Sequence, residues 1–309
     1  MFPKIRTLKL VAAMASAVFV SQSIPSAAAA EIIVKHSKGE TALPSTPEKI
    51  LVFDIASLDT LDTLGVEVDG VPSGAKPKYL SKYAGDDVLK IGSLFEPDFE
   101  AVSAAQPDLI IVGGRSSAKF EDLSKIAPTI DMTIEPEHFV ESAKENVETL
   151  AEIFGKQAQA EAALEKLDSA IADLKGKAAS VGKGLLVLTT GGKMSTYGAG
   201  SRFGVLFSDY GVQQADGNIK VGMHGQPIAF EYILEKNPDW LFVIDRDAAI
   251  GREGQAAERF LDNEIVGQTT AWKQQQVVYL DAAAWYLGGG GLTAMQNTVD
   301  QLTQAFDAH

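Results

Sequence analysis

Two stretches of this chain close an apolar run with an arginine: QPDLIIVGGR, from Gln106 to Arg115, and NPDWLFVIDR, from Asn237 to Arg246. A third arginine, Arg202, stands in the glycine-rich GAGSRFG. Guanidinium keeps its charge and offers a planar fork of donors matched to delocalised anionic oxygens. A lone arginine at such a place is ordinarily a surface residue paired with an acid. Two at matching positions, each at the exit of a buried strand, fit an anion clamp to which two lobes contribute.

His224, in VGMHGQP, and Tyr286, in AAAWYLGGGG, are the other candidates for chemistry. His224 reads either as a solvated loop residue or as a ligand on a flexible loop. Tyr286 reads either as a core or rim tyrosine or as a phenolate. With His224 it could ligate a hard, highly charged cation such as Fe(III), which prefers oxygen donors. Two protein ligands hold iron poorly, so the remaining coordination would have to arrive with the ligand. Tyr197 and Trp285 are candidates for aromatic packing against that ligand. Glu100 and Glu231 each open a short helix, where a carboxylate complements the helix dipole; as a matched pair they also suit a two-fold symmetric partner.

The chain has no phosphate-binding loop, no dinucleotide fingerprint, no G-x-S-x-G, no H-E-x-x-H and no cysteine. Its four histidines are too dispersed for a three-histidine metal site. Nothing in the sequence argues for an enzyme, and no permanently bound cofactor is implied.

The elements that must position these residues alternate. EKILVFD (48–54), VEVDGVP (66–72) and DLIIVG (108–113) read as strands, with helices in IASLDTLDTLG and DFEAVSAAQ between them. That rhythm predicts an α/β lobe with a largely parallel sheet. Residues 137–177 are rich in Ala, Glu, Lys and Leu, with apolar stripes at helical spacing and Gly155 as a break. The second of these helices, Gln157 to Lys177, would be about 30 Å long. The α/β rhythm then resumes in LLVLTT, RFGVLFSDYG, IAFEYILEKN, DWLFVI and VVYL, before a last helix from about Leu292 to Phe306. Phe99, Glu100, Pro107, Asp108 and Arg115 match Phe230, Glu231, Pro238, Asp239 and Arg246 at one constant offset. The fold expected is therefore two related α/β lobes, 31–155 and 179–309, joined by a backbone helix, 156–178, with a ligand cleft between them.

The first thirty residues read as a secretory signal peptide: Lys4, Arg6 and Lys9, an apolar stretch from Leu10 to Val20, then Ala28-Ala29-Ala30 before Glu31. Its removal leaves 24 basic residues against 41 acidic ones, a net charge of −17. Such a chain is unsuited to nucleic acid or to an anionic membrane surface. Export, most simply to the periplasm, is the expectation.

Taken together, TPEKILVFDIASLDTLDTLGVEVDGVP, PDLIIVGGR, PDWLFVIDR, YGAGSRFG, MHGQPIAFEYI and AAAWYLGGGG resemble the periplasmic siderophore-binding proteins of ABC importers, the class III, helical-backbone substrate-binding proteins. The chain is most similar to the ferric-catecholate binders of the CeuE, VctP and FatB group. The resemblance implies that Arg115, Arg202 and Arg246 surround the catecholate oxygens of a ferric siderophore. His224 and Tyr286 would complete the iron shell of a tetradentate complex, so that Fe(III) enters as cargo. Glu100 and Glu231 would dock on the permease of an inner-membrane ABC importer. A carrier of haem, cobalamin, a hydroxamate or a hexadentate siderophore is the alternative, and a periplasmic enzyme is a more distant one. A rigid inter-lobe helix further predicts only small closure on binding.

Overall fold

The computed structural model describes Met1, residues 31–222 and residues 224–309; residues 2–30 of the expected signal peptide lie outside the described residues. A hairpin of β1 (Ile32–His36) and β2 (Gly39–Leu43) leads into the first lobe. Here β3 (Ile50–Val52), β4 (Gly70–Val71), β5 (Leu89–Lys90), β6 (Leu109–Val112) and β7 (Thr129–Asp131) form one parallel sheet, ordered β5-β4-β3-β6-β7. The central β3 and β6 are buried throughout, as their unbroken apolar runs require when helices cover both faces. Helices α1 (Ile55–Thr63), α2 (Phe99–Ala105) and α3 (Phe120–Leu123) supply that cover. Of the expected strand at 66–72, only Gly70 and Val71 join the ladder.

Two helices lead out of this lobe. α4 (Phe139–Phe154) ends at Gly155, and α5 (Gln157–Ala178) follows it. α5 belongs to both lobes. Ala160 and Leu164 pack with Leu64, Val147 and Ala151, whereas Leu167, Ile171 and Leu174 pack with Leu186, Leu206 and Trp240.

The second lobe contains β8 (Lys183–Thr190), β9 (Lys193–Tyr197), α6 (Val205–Ser208), β10 (Gln213–Gln214), β11 (Gln226–Ile228), α7 (Phe230–Lys236) and β12 (Trp240–Asp245). It continues with α8 (Arg246–Ala249), α9 (Ala257–Leu261), α10 (Thr270–Lys273), β13 (Val277–Tyr279), α11 (Ala282–Leu287) and α12 (Leu292–Asp307). Its sheet is ordered β11-β9-β8-β12-β13, with β10 also on β8. β8, β10, β12 and β13 run parallel, but β9 is antiparallel to both β8 and β11, so this sheet is mixed. The reversal occurs at Gly191-Gly192, with φ of 54° and 73°. Two consecutive residues at positive φ make the tight turn that matches strand twist, and glycine reaches it without strain.

The sequence repeat has a structural cause in each lobe. α2 ends on Gln106 and α7 on Asn237, both in the left-handed region, at φ 50° and 40°. Proline follows, and then an aspartate pins the start of a neighbouring strand. The Asp108 carboxylate accepts from the amides of Glu48 and Lys49 at 3.0 and 2.8 Å, and that of Asp239 from the Lys183 amide at 2.7 Å.

The lobes meet along a seam behind the cleft. Asp59 of α1 is fully buried and accepts from the amides of Thr293 and Ala294, at 3.0 and 2.9 Å, at the start of α12. The Tyr79 hydroxyl donates to it at 3.1 Å. The last two glycines before α12 are needed for this packing: a Cβ on Gly290 would lie 1.8 Å from Ile134 Cδ1, and one on Gly291 2.3 Å from an Asp59 oxygen.

Candidate functional site

Arg115 follows β6, in a turn that Ser116 closes by donating to the Gly113 carbonyl at 3.2 Å. Arg246 is the first residue of α8, immediately after β12, with the Asp245 carboxylate capping that helix. Arg202 lies in the loop between β9 and α6. Tyr286 is on α11, a helix that sequence periodicity alone did not reveal because it spans only six residues.

These four side chains meet at one place. Arg246 donates from Nε to the Tyr286 hydroxyl at 2.9 Å and from Nη1 to Thr190 Oγ1 at 3.3 Å. Arg115 and Arg202 both donate from Nη2 to the Tyr286 backbone carbonyl, at 2.5 and 3.1 Å. The guanidinium carbons of Arg115, Arg202 and Arg246 stand 5.0, 4.7 and 5.5 Å from the Tyr286 ring centre. Helix geometry explains the shared carbonyl. Because α11 ends at Leu287, its last carbonyls lack intrahelical partners, and they carry the negative end of the helix dipole. Two guanidiniums are collected there, one from each lobe.

The charges remain concentrated. Among the described residues no carboxylate lies within 4.0 Å of the Arg115 or Arg202 guanidinium, and the nearest to Arg246 is Asp247 at 3.9 Å. Burial first, then the charge of Arg115, pulls the Arg202 pKa down. For Tyr286, burial pushes the phenol up, but the Arg246 hydrogen bond and the three guanidinium charges outweigh it, and the net shift is downward. The chain has seven tyrosines. The other six, Tyr79, Tyr83, Tyr197, Tyr210, Tyr232 and Tyr279, are all shifted upward, burial being the largest cause in each. Tyr286 is thus the one phenol whose surroundings favour the oxyanion.

The remaining candidates fall into three places. Trp285 and Tyr197 are core residues beneath the site, 6% and 4% exposed, and both pack on Phe203. Of the adjacent pair it is therefore Tyr286, and not Trp285, that meets the arginines. His224 is exposed, in the loop before β11; that loop rests on Tyr197, since a Cβ on the following Gly225 would lie 2.7 Å from the Tyr197 ring. Among the described residues no group of three His, Cys, Asp or Glu side chains is placed to hold a metal ion. Glu100 and Glu231 are exposed in the first turns of α2 and α7, on different lobes. A groove of about 770 Å³ between β1 and α4 lies apart from all of these and is lined by Glu135, Glu141, Glu145, Glu148 and Glu152. Its carboxylates suit no anionic ligand.

Sequence reasoning missed Thr190, Phe203 and the Tyr286 carbonyl. The glycine run was the available signal for the carbonyl, because glycine ends a helix and leaves its last acceptors open.

The family model described as periplasmic binding protein matches residues 50–284. The petrobactin-binding protein YclQ of Bacillus subtilis is 43% identical over 282 residues, covering 90% of this chain and 89% of the relative. The ferric-anguibactin-binding protein FatB of Vibrio anguillarum is 31% identical, covering 90% and 88%. The crystal structure of the periplasmic catecholate-siderophore binding protein VctP from Vibrio cholerae superimposes with a TM-score of 0.84 at 34% identity, covering 91% of this chain and all of that one. The chain belongs to the periplasmic binding protein family, whose members bind substrates and are not enzymes.

Proposed function

We propose, from that membership and from the cleft, that this protein captures a ferric siderophore, of the tetradentate bis-catecholate type, and delivers it to an inner-membrane ABC importer. The observation that carries the reading is the convergence of Arg115, Arg202 and Arg246, drawn from both lobes, on the ring and carbonyl of Tyr286. A ferric bis-catecholate is a compact anion with delocalised oxygens, and guanidinium forks meet such oxygens through charge-assisted hydrogen bonds. Iron enters as cargo and is not a resident cofactor. The Tyr286 phenolate and the His224 imidazole take the two positions that a tetradentate siderophore leaves open. Exposure of His224 on its loop suits a ligand that engages only when the complex arrives.

Glu100 and Glu231 dock on the permease, one from each lobe. The leader directs export to the periplasm and is cleaved there. α5, shared between two cores, and the buried Asp59 contact limit closure to a small movement.

The test is a tryptophan-fluorescence titration of the mature protein with a ferric tetradentate bis-catecholate, beside His224→Ala and Tyr286→Phe. Tight quenching of the wild type, much weakened in both variants, is expected. Tight binding unchanged by both would hand recognition to the arginines and a hexadentate ligand. An absence of binding by the wild type would exclude the catecholate reading.

A further inference from the structure

Phe95 is 58% exposed, and yet nothing about its loop is loose. The Ser93 hydroxyl accepts from the amides of Phe95 and Glu96 at 3.3 and 3.0 Å, and the Ser93 amide donates to the Glu96 carbonyl at 2.9 Å. Gly92, at φ 107°, is packed so closely that a Cβ would lie 2.4 Å from the Asp98 amide nitrogen. Glu96 then pairs with Lys119 at 2.8 Å, which ties the turn to the segment that Arg115 begins. β5 and β6 are parallel members of one sheet, so the turn after β5 and Arg115 after β6 leave the same end of the lobe.

The fold does not require an aromatic ring there. At the offset of the repeat, the second lobe has Gln226 in place of Phe95. Neighbouring Phe99 is also exposed, at 38%, whereas its counterpart Phe230 is covered by Phe260, with ring centres 5.0 Å apart. On the second lobe the exposed apolar residue beside the site is Val221, at 64%. It lies 3.8 Å from where a Cβ of Gly200 would be, two residues before Arg202. Each lobe therefore holds an exposed apolar side chain at the end from which its arginine reaches Tyr286: Phe95, linked to that segment through the Glu96–Lys119 pair, and Val221, beside Gly200.

We infer that Phe95 and Val221 form an apolar rim around the arginine floor, and that the rim receives the aromatic ring faces of the bound chelate. The inference rests on the ferric-chelate reading above and adds a specificity device to it. The arginines read the oxygens, and the rim reads what surrounds them. Phe95 is the larger contributor, since an aromatic ring offers more stacking area than a valine side chain and the turn that presents it is already ordered.

The test compares wild type, Phe95→Ser and Val221→Ser against two probes, a ferric bis-catecholate and the ring-free ferric citrate complex. Both substitutions are at exposed positions, and melting temperatures should match the wild type. Phe95→Ser should weaken the aromatic chelate about ten-fold and Val221→Ser about two- to three-fold, with ferric citrate changed less than two-fold. Wild-type affinity of Phe95→Ser for the aromatic chelate, or an equal loss for both probes, overturns the rim. That holds even if the variant docks more weakly on the importer, a result that would assign Phe95 to the permease instead. Failure of the wild type to bind any aromatic ferric chelate removes the functional reading and the rim together, and is distinguishable because it appears before any substitution is made.

Discussion

The cleft floor and the seam behind it are both built where the two lobes meet, and they handle charge in opposite ways. At the seam, one buried carboxylate, Asp59, is matched by two backbone amides and a tyrosine hydroxyl. At the floor, three guanidiniums gather on one tyrosine, and among the described residues no carboxylate is in direct contact with Arg115 or Arg202. The seam is satisfied internally and holds the lobes. The floor keeps cationic capacity in reserve, which only an anion from outside can complete. A protein whose net charge is strongly negative can concentrate positive charge at one place and so make that place the destination of an anionic ligand.

The contrast can be broken most severely at Asp59. Asp59→Ala leaves the buried Ala294 amide and the half-buried Thr293 amide without their acceptor, and should destabilise the protein by about 3 kcal/mol, read as a lower denaturant midpoint. Next in size is the floor. Arg202→Gln removes a charge-assisted contact and should weaken a ferric bis-catecholate by about ten- to a hundredfold, while the denaturant midpoint stays within experimental scatter of the wild type. A milder probe of the seam is Gly290→Ala, which must displace Ile134 and should destabilise by about 1 kcal/mol, again read by denaturation. The smallest effect is spectroscopic. Alkaline titration followed by phenolate absorbance should show one tyrosine ionising below the usual value of about 10, absent in Tyr286→Phe, with the other six ionising above it. The sign for stability follows from linkage. A phenol whose folded pKa is depressed contributes stability that is fully present above its unfolded pKa and is lost as pH falls through the folded one. The wild type should therefore gain on Tyr286→Phe as pH rises through that window.

Legibility in the sequence differed between the same two regions. The floor was largely readable, because Arg115 and Arg246 lie at matching places in a repeat that marks strand exits, and Arg202 stands in a conspicuous glycine-rich loop. The long helices were readable as well, since α4 and α5 carry apolar stripes at helical spacing and Gly155 separates them. α5 runs from Gln157 to Ala178 and α12 from Leu292 to Asp307, each within a residue of the expected end. Short elements were not readable. α6 holds four residues of the expected RFGVLFSDYG helix, and the six-residue α11 offers too few turns for periodicity to show. The β8–β9 hairpin was missed although its Gly-Gly turn stood in plain view, because LLVLTT suggested another parallel crossover. The seam was invisible for a deeper reason. An aspartate in the middle of IASLDTLDTLG looks like a solvated helix position, and only the tertiary fold brings it to the amides of residues more than two hundred positions away.

The most direct test of this division of labour measures two quantities on two variants: ferric bis-catecholate affinity and denaturant midpoint for Arg202→Gln and for Asp59→Ala. The prediction is a crossed pattern. Arg202→Gln should lose affinity and keep its midpoint; Asp59→Ala should lose its midpoint and, at temperatures where it remains folded, bind within a few-fold of the wild type. Parallel losses in both variants would show that recognition and lobe joining are one structure, and would contradict the account.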